Sequence, residues 1–264
     1  MSADILAVAG LAKHFGGLRA VDGVDLAVRR GEIVGLIGPN GAGKTTFVDL
    51  LTGSEPPTGG RITYRGTDIT SLSAHERSRM GLARTFQVPR PFGDLTIREN
   101  VLVGALFGRG ERRGGRPEAL DLANRCLERA GLSAVADQST GSLSTAGLKR
   151  LEVARCLAAE PDLLFLDEPL GGLNPTEVKD ALGLIRGLND SGITIVFIEH
   201  IIPAVMSLCH RVVVLASGRK LADGDPSEIV ANPEVQRAYL GDVKAAVRRF
   251  GARRRAATRP GGAA

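Results

Sequence analysis

The 264-residue chain has no tryptophan, only two tyrosines and eight phenylalanines, so its core has to be built from Leu, Val, Ile and Ala. Its three cysteines, Cys126, Cys156 and Cys209, are odd in number and show neither Cys-x-x-Cys nor Cys/His spacing. That excludes a disulfide framework and points to no zinc site; the three read as small apolar residues in a reducing compartment. No apolar run approaches the ~18 residues needed to cross a bilayer; the longest, such as 193–198 and 212–216, are strand-sized. The first residues carry Asp4 where an export signal needs positive charge, and the short apolar stretch after it runs into Lys13 and His14. The expectation is a soluble chain whose membrane role, if it has one, comes through a partner.

What is present is ordinary for a packed protein: 43% hydrophobic and 24% charged residues, in a length that favours one large domain with an insertion. The net charge of +5 does not point to nucleic acid, because residues 244–264 hold seven basic side chains and no acidic one. Without them the chain is close to neutral. A domain over 1–242 followed by a basic, solvated and disordered tail over 243–264 is the expected organisation.

Strand and helix patterns alternate. Val24–Val28, Glu32–Ile37, Arg61–Arg65, Ala83–Phe86, 163–166, 193–198 and 211–216 read as strands. Helical spacing is seen near 45–51 and over 97–103, 118–130, 144–158, 177–188 and 201–209. The pattern predicts an α/β fold: a parallel sheet covered by helices, a small antiparallel β element, and a helical insertion over about 89–159 containing a glycine- and arginine-rich loop at 109–116.

Gly38-Pro39-Asn40-Gly41-Ala42-Gly43-Lys44-Thr45 fits the phosphate-loop pattern G-x-x-x-x-G-K-[ST], with a strand before it and a helix after. Glycines let consecutive backbone N–H groups point at a phosphate, and the helix start adds partial positive charge. Lys44 supplies a full charge, and the Thr45 hydroxyl suits Mg²⁺, a hard cation that takes oxygen ligands. Kinases, GTPases, motor ATPases and transporters all use such a loop. Downstream, the apolar stretch 163–166 ends in Asp167 and Glu168; the first suits support of the metal through water, the second polarisation of an attacking water. No Asn/Thr-Lys-x-Asp guanine-reading element occurs, and no G-x-G-x-x-G dinucleotide fingerprint.

In the order of these motifs the chain resembles the ATP-binding subunits of ABC transporters, over nearly its whole length to about Asp242. That resemblance implies a P-loop NTPase core of ABC type, with ATP and Mg²⁺ as its ligands and Thr46 beside Thr45 in the phosphate cradle. Phe15 matches the aromatic residue that stacks on adenine, and stands before the first expected strand pair. Gln87 matches the glutamine loop, which touches the metal and the attacking water, and His200 matches the switch histidine near the γ-phosphate. His14, His75 and His210 have no such placement. Asn174, in Gly171-Gly172-Leu173-Asn174-Pro175, matches the loop that crosses a dimer interface. The family's Leu-Ser-Gly-Gly-Gln signature is altered here to Leu143-Ser144-Thr145-Ala146-Gly147. Ser144 keeps a hydroxyl at a helix start, where the ATP of the opposite subunit would meet it.

Arg84-Thr85-Phe86-Gln87, Phe92, Leu95–Val101, Gly172–Pro175 and the ending Asn232-Pro233-Glu234 to Tyr239-Leu240-Gly241 are similar to those of branched-chain amino-acid importer ATPases and their relatives for urea and short amides. The resemblance implies a cytoplasmic, peripheral subunit on the inner face of the cell membrane that pairs with a second copy or a paralogous ATPase. It also implies permease subunits as partners, and a solute-binding protein outside the membrane. An exporter ATPase for lipid or polysaccharide would read similarly. A soluble ABC ATPase of DNA repair or translation usually carries a long coiled coil or two cassettes, and neither fits this length.

Overall fold

A computed structural model describes residues 4–109 and 115–239; the expected tail over 243–264 and the centre of the 109–116 loop lie outside the described residues. The chain runs through β1 (Asp4–Phe15), β2 (Leu18–Arg29), β3 (Ile33–Ile37), α1 (Lys44–Thr52), β4 (Gly59–Tyr64) and β5 (Thr67–Asp68). It continues through α2 (Ala74–Arg79), β6 (Leu82–Arg84), α3 (Ile97–Phe107), α4 (Gly115–Arg129), α5 (Thr145–Ala158), β7 (Leu163–Asp167) and α6 (Pro175–Asp190). The described part closes with β8 (Thr194–Ile198), α7 (Ile202–Leu208), β9 (Arg211–Ala216), β10 (Arg219–Gly224), α8 (Pro226–Ala231) and α9 (Pro233–Ala238).

Two sheets result. One is antiparallel in the order β2-β1-β4-β5, the other six-stranded in the order β10-β9-β3-β8-β7-β6. From β9 to β6 all neighbours are parallel, and only β10 runs back, from β9 through the turn Ser217-Gly218. Both turn residues have positive φ, 49° and 77°, the geometry that matches the twist of a two-residue hairpin.

Sequence patterning shows none of β5, α2, β10, α8 and α9, and it also misses β1, so that Phe15 ends a twelve-residue strand and turns into β2 instead of standing before the first strand pair. For β1 the reason is local: register shifts at Val8/Leu11 and Leu11/Lys13 break the two-residue alternation, and Gly10, with φ 57°, sits at the first of them. The strand expected over Ala83–Phe86 is β6, Leu82–Arg84, which leaves Phe86 and Gln87 in a loop.

The central strands are buried on both faces. Val34, Leu36, Phe165, Val196 and Ile198 face α1 and the antiparallel sheet, while Ile33, Leu164, Leu166, Ile195 and Phe197 face the helices on the other side. Strands so placed read as continuous apolar runs rather than alternating ones. Helices α3, α4 and α5 pack together; α4 buries Ala119, Leu122, Ala123, Cys126 and Leu127, one stripe at three-to-four spacing. Asn100 is fully buried and accepts from Phe92 N at 2.8 Å while donating to the carbonyls of Phe92, Leu95 and Thr96, which ties the start of the insertion to α3. Of the cysteines, Cys126 and Cys209 are buried and Cys156 is half-buried, none of them paired with another.

Helix α3 approaches α5 through two glycines four residues apart. A Cβ on Gly104 would fall 2.4 Å from the Arg155 carbonyl oxygen, and one on Gly108 would fall 2.4 Å from Ala159 Cα. Gly104→Val therefore has to part the two helices. A loss of about 1–3 kcal/mol in unfolding free energy is expected from overpacking, measured by denaturant unfolding. An unchanged midpoint would mean that the helices are free to separate.

Candidate functional site

Parallel strands deliver their C-terminal ends to one edge of a sheet, and that edge is where open α/β sheets hold ligands. Here β3 ends into Gly38, β6 into the Gln87 loop, β7 into Asp167 and Glu168, and β8 into Glu199 and His200. The register sets them side by side: Leu36 is level with Ile198, Ile198 with Asp167, and Phe165 with Arg84.

The Gly38–Thr45 loop is confined by its surroundings. A Cβ at Gly38 would lie 2.3 Å from the Leu215 carbonyl oxygen, and one at Gly43, where φ is 94°, 2.2 Å from the Ala20 carbonyl oxygen. Gly41 also has positive φ, 77°, but faces open space. Gly218 N donates to Ala42 O at 3.0 Å and Asp22 N to Gly218 O at 2.8 Å, so the β9–β10 turn and β2 brace the loop. Pro39 O accepts from Ala42 N at 3.1 Å, while Asn40 is exposed. Lys44 is buried and its Nζ donates back to the carbonyls of Gly38 at 2.7 Å and Pro39 at 3.1 Å. Burial lowers its pKa, against the opposing pull of Glu168 and Asp167. Helix α1 begins on Gly43 without a side-chain cap. The first N–H groups of any helix lack an intrahelical partner, so this start is suited to an anion. Thr45 is exposed and Thr46 half-buried on the first turn.

Beside the loop, Asp167 is buried and held on two sides, by the last residue of β6 and by the residue after it. Arg84 Nη2 donates to its carboxylate at 2.8 Å, and Asp167 N donates to the Thr85 hydroxyl at 3.1 Å. Arg84 also pairs with Asp49 of α1. Burial works against the Arg84 charge, but the hydrogen bonds it donates to Asp49 and Asp167 outweigh that and raise its pKa. Arg84 was legible only as part of the Arg-Thr-Phe-Gln string; its contact with Asp167 joins residues 83 positions apart.

Glu168 sits at φ 44°, a left-handed conformation that costs a non-glycine residue about 1–3 kcal/mol. Its N–H donates to Ile198 O at 3.0 Å, and its carbonyl accepts from Gly171 N at 3.3 Å and Lys149 Nζ at 2.7 Å. Its carboxylate accepts from Gln87 Nε2 at 2.8 Å and lies 3.8 Å from His200 Nδ1. Behind His200, the fully buried Glu199 accepts from the backbone N–H groups of Leu170, His200 and Ile201. A second buried carboxylate, Glu152 of α5, accepts from Phe86 N at 2.7 Å and Arg90 N at 3.0 Å, and so clasps the two ends of the Gln87 loop. Neither Glu152 nor Lys149 was singled out by sequence; the apolar stretch around them signals a helix but not its polar contacts.

The remaining candidates make no hydrogen bond to this cluster among the described contacts. Phe15 is 47% exposed, with Lys13 Nζ 5.0 Å from its ring centre. Ser144 is exposed and caps α5, accepting from Gly147 N at 3.2 Å. Asn174 is exposed and caps α6 through Thr176 N and Glu177 N, both at 3.0 Å, with Glu177 closing the capping box. His210 is structural: its Nδ1 accepts from Ile33 N at 2.9 Å. His14 and His75 are exposed.

Residues 21–171 match the family model described as ABC transporter, and 219–245 match one described as branched-chain amino acid ATP-binding cassette transporter. The chain is 45% identical to the high-affinity branched-chain amino acid transport ATP-binding protein LivG of Salmonella typhimurium, across 92% of this chain and all of the relative. It is 43% identical to the corresponding protein BraF of Pseudomonas aeruginosa over the same shares. Among solved structures it is similar to a nucleotide-free ATP-binding cassette from an ABC transporter, with TM-score 0.82, 30% identity, and coverage of 90% of this chain and 100% of the other. An ATP-binding cassette in its ADP conformation gives TM-score 0.83 and 30% identity, with coverage of 91% and 100%.

Arg84 is the sole cation within hydrogen-bonding distance of Asp167 among the contacts of the described residues. Arg84→Met leaves two carboxylates facing a buried gap. Removing one partner of such a pair costs about 3–5 kcal/mol, which urea unfolding measures. A loss below about 1 kcal/mol, the scale of exposed pairs, would show that water replaces the guanidinium.

Proposed function

The chain belongs to the ABC transporter ATP-binding family, and we propose that it is the ATP-hydrolysing subunit of an importer for branched-chain amino acids or a related small polar solute. What carries the reading is the convergence of a braced phosphate loop, a buried Asp167 and an oriented Glu168 on one sheet edge, in a chain matched almost end to end by branched-chain amino acid transport ATP-binding proteins.

The proposed roles rest on the family resemblance and are compatible with the geometry. Backbone N–H groups of the Gly38–Thr46 segment and the Lys44 ammonium bind the phosphates, in a cradle where added Cβ atoms at Gly38 and Gly43 would collide with carbonyl oxygens. Phe15, exposed at the end of β1, offers its ring to adenine; such stacking is worth about 1–3 kcal/mol. The oxygen donors of Thr45, Gln87 and, through water, Asp167 form a set suited to Mg²⁺, which when bound would neutralise charge on the phosphates. Glu168 takes a proton from a water as its oxygen bonds to the γ-phosphorus, and the bond to the β–γ bridging oxygen breaks to release ADP. Gln87 donates to that carboxylate and His200 stands beside it, where both could orient the attacking water.

The proposed organisation is an ATP-binding body to about residue 242, with the helices of 89–159 as an inserted unit. Two copies, or one copy and a paralogue, enclose two ATPs, each between the Lys44 loop of one chain and the Ser144 helix start of the other, with Asn174 at the interface. Among the described residues no helix is long and apolar enough to cross a membrane, so permease subunits supply the passage and place the chain on the inner face of the membrane. A solute-binding protein outside the membrane delivers the cargo. A groove of about 420 Å³ between α2, β6, α3 and α5, into which the exposed Phe86 and Phe107 turn, offers a permease segment an apolar seat. It is clasped to the site through Glu152.

Two substitutions separate binding from chemistry. Lys44→Ala removes the charge from the phosphates and is expected to abolish ATP binding while the chain stays folded, as a thermal melt reads. Glu168→Gln keeps the shape and is expected to retain ATP binding while turnover falls by about 10²–10⁴, the usual effect of losing a general base. Titration with a fluorescent nucleotide and a phosphate-release assay read the two. Wild-type affinity in the first variant, or wild-type turnover in the second, would contradict the assignment.

A further inference from the structure

The base proposed above is held in an unfavourable backbone conformation, and something has to keep it there. Glu168 directly follows β7, which ends at Asp167, and its φ of 44° turns the chain sharply. Its own N–H is tied to Ile198 O. Its carbonyl, turned out by the same rotation, accepts a long bond of 3.3 Å from Gly171 N and a short one of 2.7 Å from Lys149 Nζ.

Lys149 lies on the second turn of α5, half-buried, in a setting that charge alone does not explain. Glu199, Glu152, Glu168 and Asp167 all act on it, yet its one hydrogen bond among the described contacts goes to a backbone carbonyl. Burial lowers its pKa, and the four carboxylates oppose that. An ammonium among acids that spends its donor on a strained peptide is placed to fix that peptide. The neighbouring residue Gly171 lies close by; a Cβ there would be 3.9 Å from Lys149 Nζ.

We propose that Lys149 is a positioning residue whose ammonium, bound to the Glu168 carbonyl, holds Glu168 in the left-handed conformation that aims its carboxylate at Gln87 and His200. Its bond is to the Glu168 carbonyl, so it acts through the Glu168 backbone. This inference rests on the reading of Glu168 as the general base.

The test compares Lys149→Met, Lys149→Arg and Lys149→Met combined with Glu168→Gln in steady-state ATP hydrolysis, with a thermal melt of each. Lys149→Met is expected to lower kcat about 10- to 100-fold, the scale of a misplaced catalytic group, with KM for ATP within about twofold of the wild type. Lys149→Arg, which can still reach the carbonyl, is expected to restore most of kcat. In the Glu168→Gln background, where no base is left to aim, Lys149→Met is expected to lower the residual rate no further, so the two changes are non-additive. Wild-type kcat in Lys149→Met would overturn the proposal. So would a lowered melting temperature with a loss that Lys149→Arg leaves unrepaired, or a full further loss in the Glu168→Gln background. Glu168→Gln by itself tests the underlying reading: if it loses turnover while Lys149→Met does not, only the positioning role fails.

Discussion

The arrangement depends first on the burial of Asp167 against Arg84. A carboxylate at the end of an apolar strand is costly to bury alone, and the guanidinium that neutralises it comes from β6, the neighbouring strand, while also gripping Asp49 on α1. One side chain thus ties the phosphate-loop helix, the acidic strand end and the strand that opens into the Gln87 loop. Thr85 adds its hydroxyl to the Asp167 amide, and from the other side Cys156 Sγ of α5 donates to the Arg84 carbonyl at 3.2 Å. The sheet edge behaves as one fitted unit, and Glu168 takes its direction from it.

The helix starts divide the labour. Helices α2, α3 and α6 close their first turns with capping boxes of Ser73/Glu76, Thr96/Glu99 and Asn174/Glu177, and α5 is capped by Ser144. Such caps satisfy N–H groups that would otherwise need another acceptor. Helix α1, at the phosphate loop, begins on a left-handed glycine with no side-chain cap. Its free dipole and the buried Lys44 are what an anionic ligand completes. Besides its cap, helix α5 is bonded to the Gln87 loop through Glu152, to the Glu168 carbonyl through Lys149 and to the Arg84 carbonyl through Cys156. The helix whose start is proposed to meet the partner's ATP is therefore bonded to the catalytic segments of its own chain.

Much of this was legible in the sequence where one residue type has one physical use. The glycines of 38–45 mark positions where two Cβ atoms would strike carbonyl oxygens, and the apolar run before Asp167 marks a strand buried on both faces. The helices of 97–158 followed from their three-to-four spacing. Strand β1 was not legible, because its bulges break the alternation. Arg84, Lys149 and Glu152 were not singled out either. Their partners lie 83, 19 and 66 positions away, and charged residues on a strand or helix look solvated until the fold closes over them. The altered signature is intermediate: Ser144 still caps its helix, but a Cβ at Gly147 would come within 2.9 Å of the Leu143 side chain, so restoring the usual glutamine there requires Leu143 to move.

In the proposed assembly each ATP is held by the Lys44 loop of one chain and the Ser144 helix of another, an arrangement that mixing two variants can reveal. Ser144→Asp keeps a good helix cap but sets a negative charge where the partner's phosphate would lie; Lys44→Ala empties the loop. Each variant alone is expected to be inactive. Mixed in equal amounts with ATP and Mg²⁺, they form pairs in which the intact loop of one chain faces the intact Ser144 of the other, and phosphate release is expected to reappear. A mixture no faster than its components, or a Ser144→Asp chain that hydrolyses at the wild-type rate, would contradict the shared site.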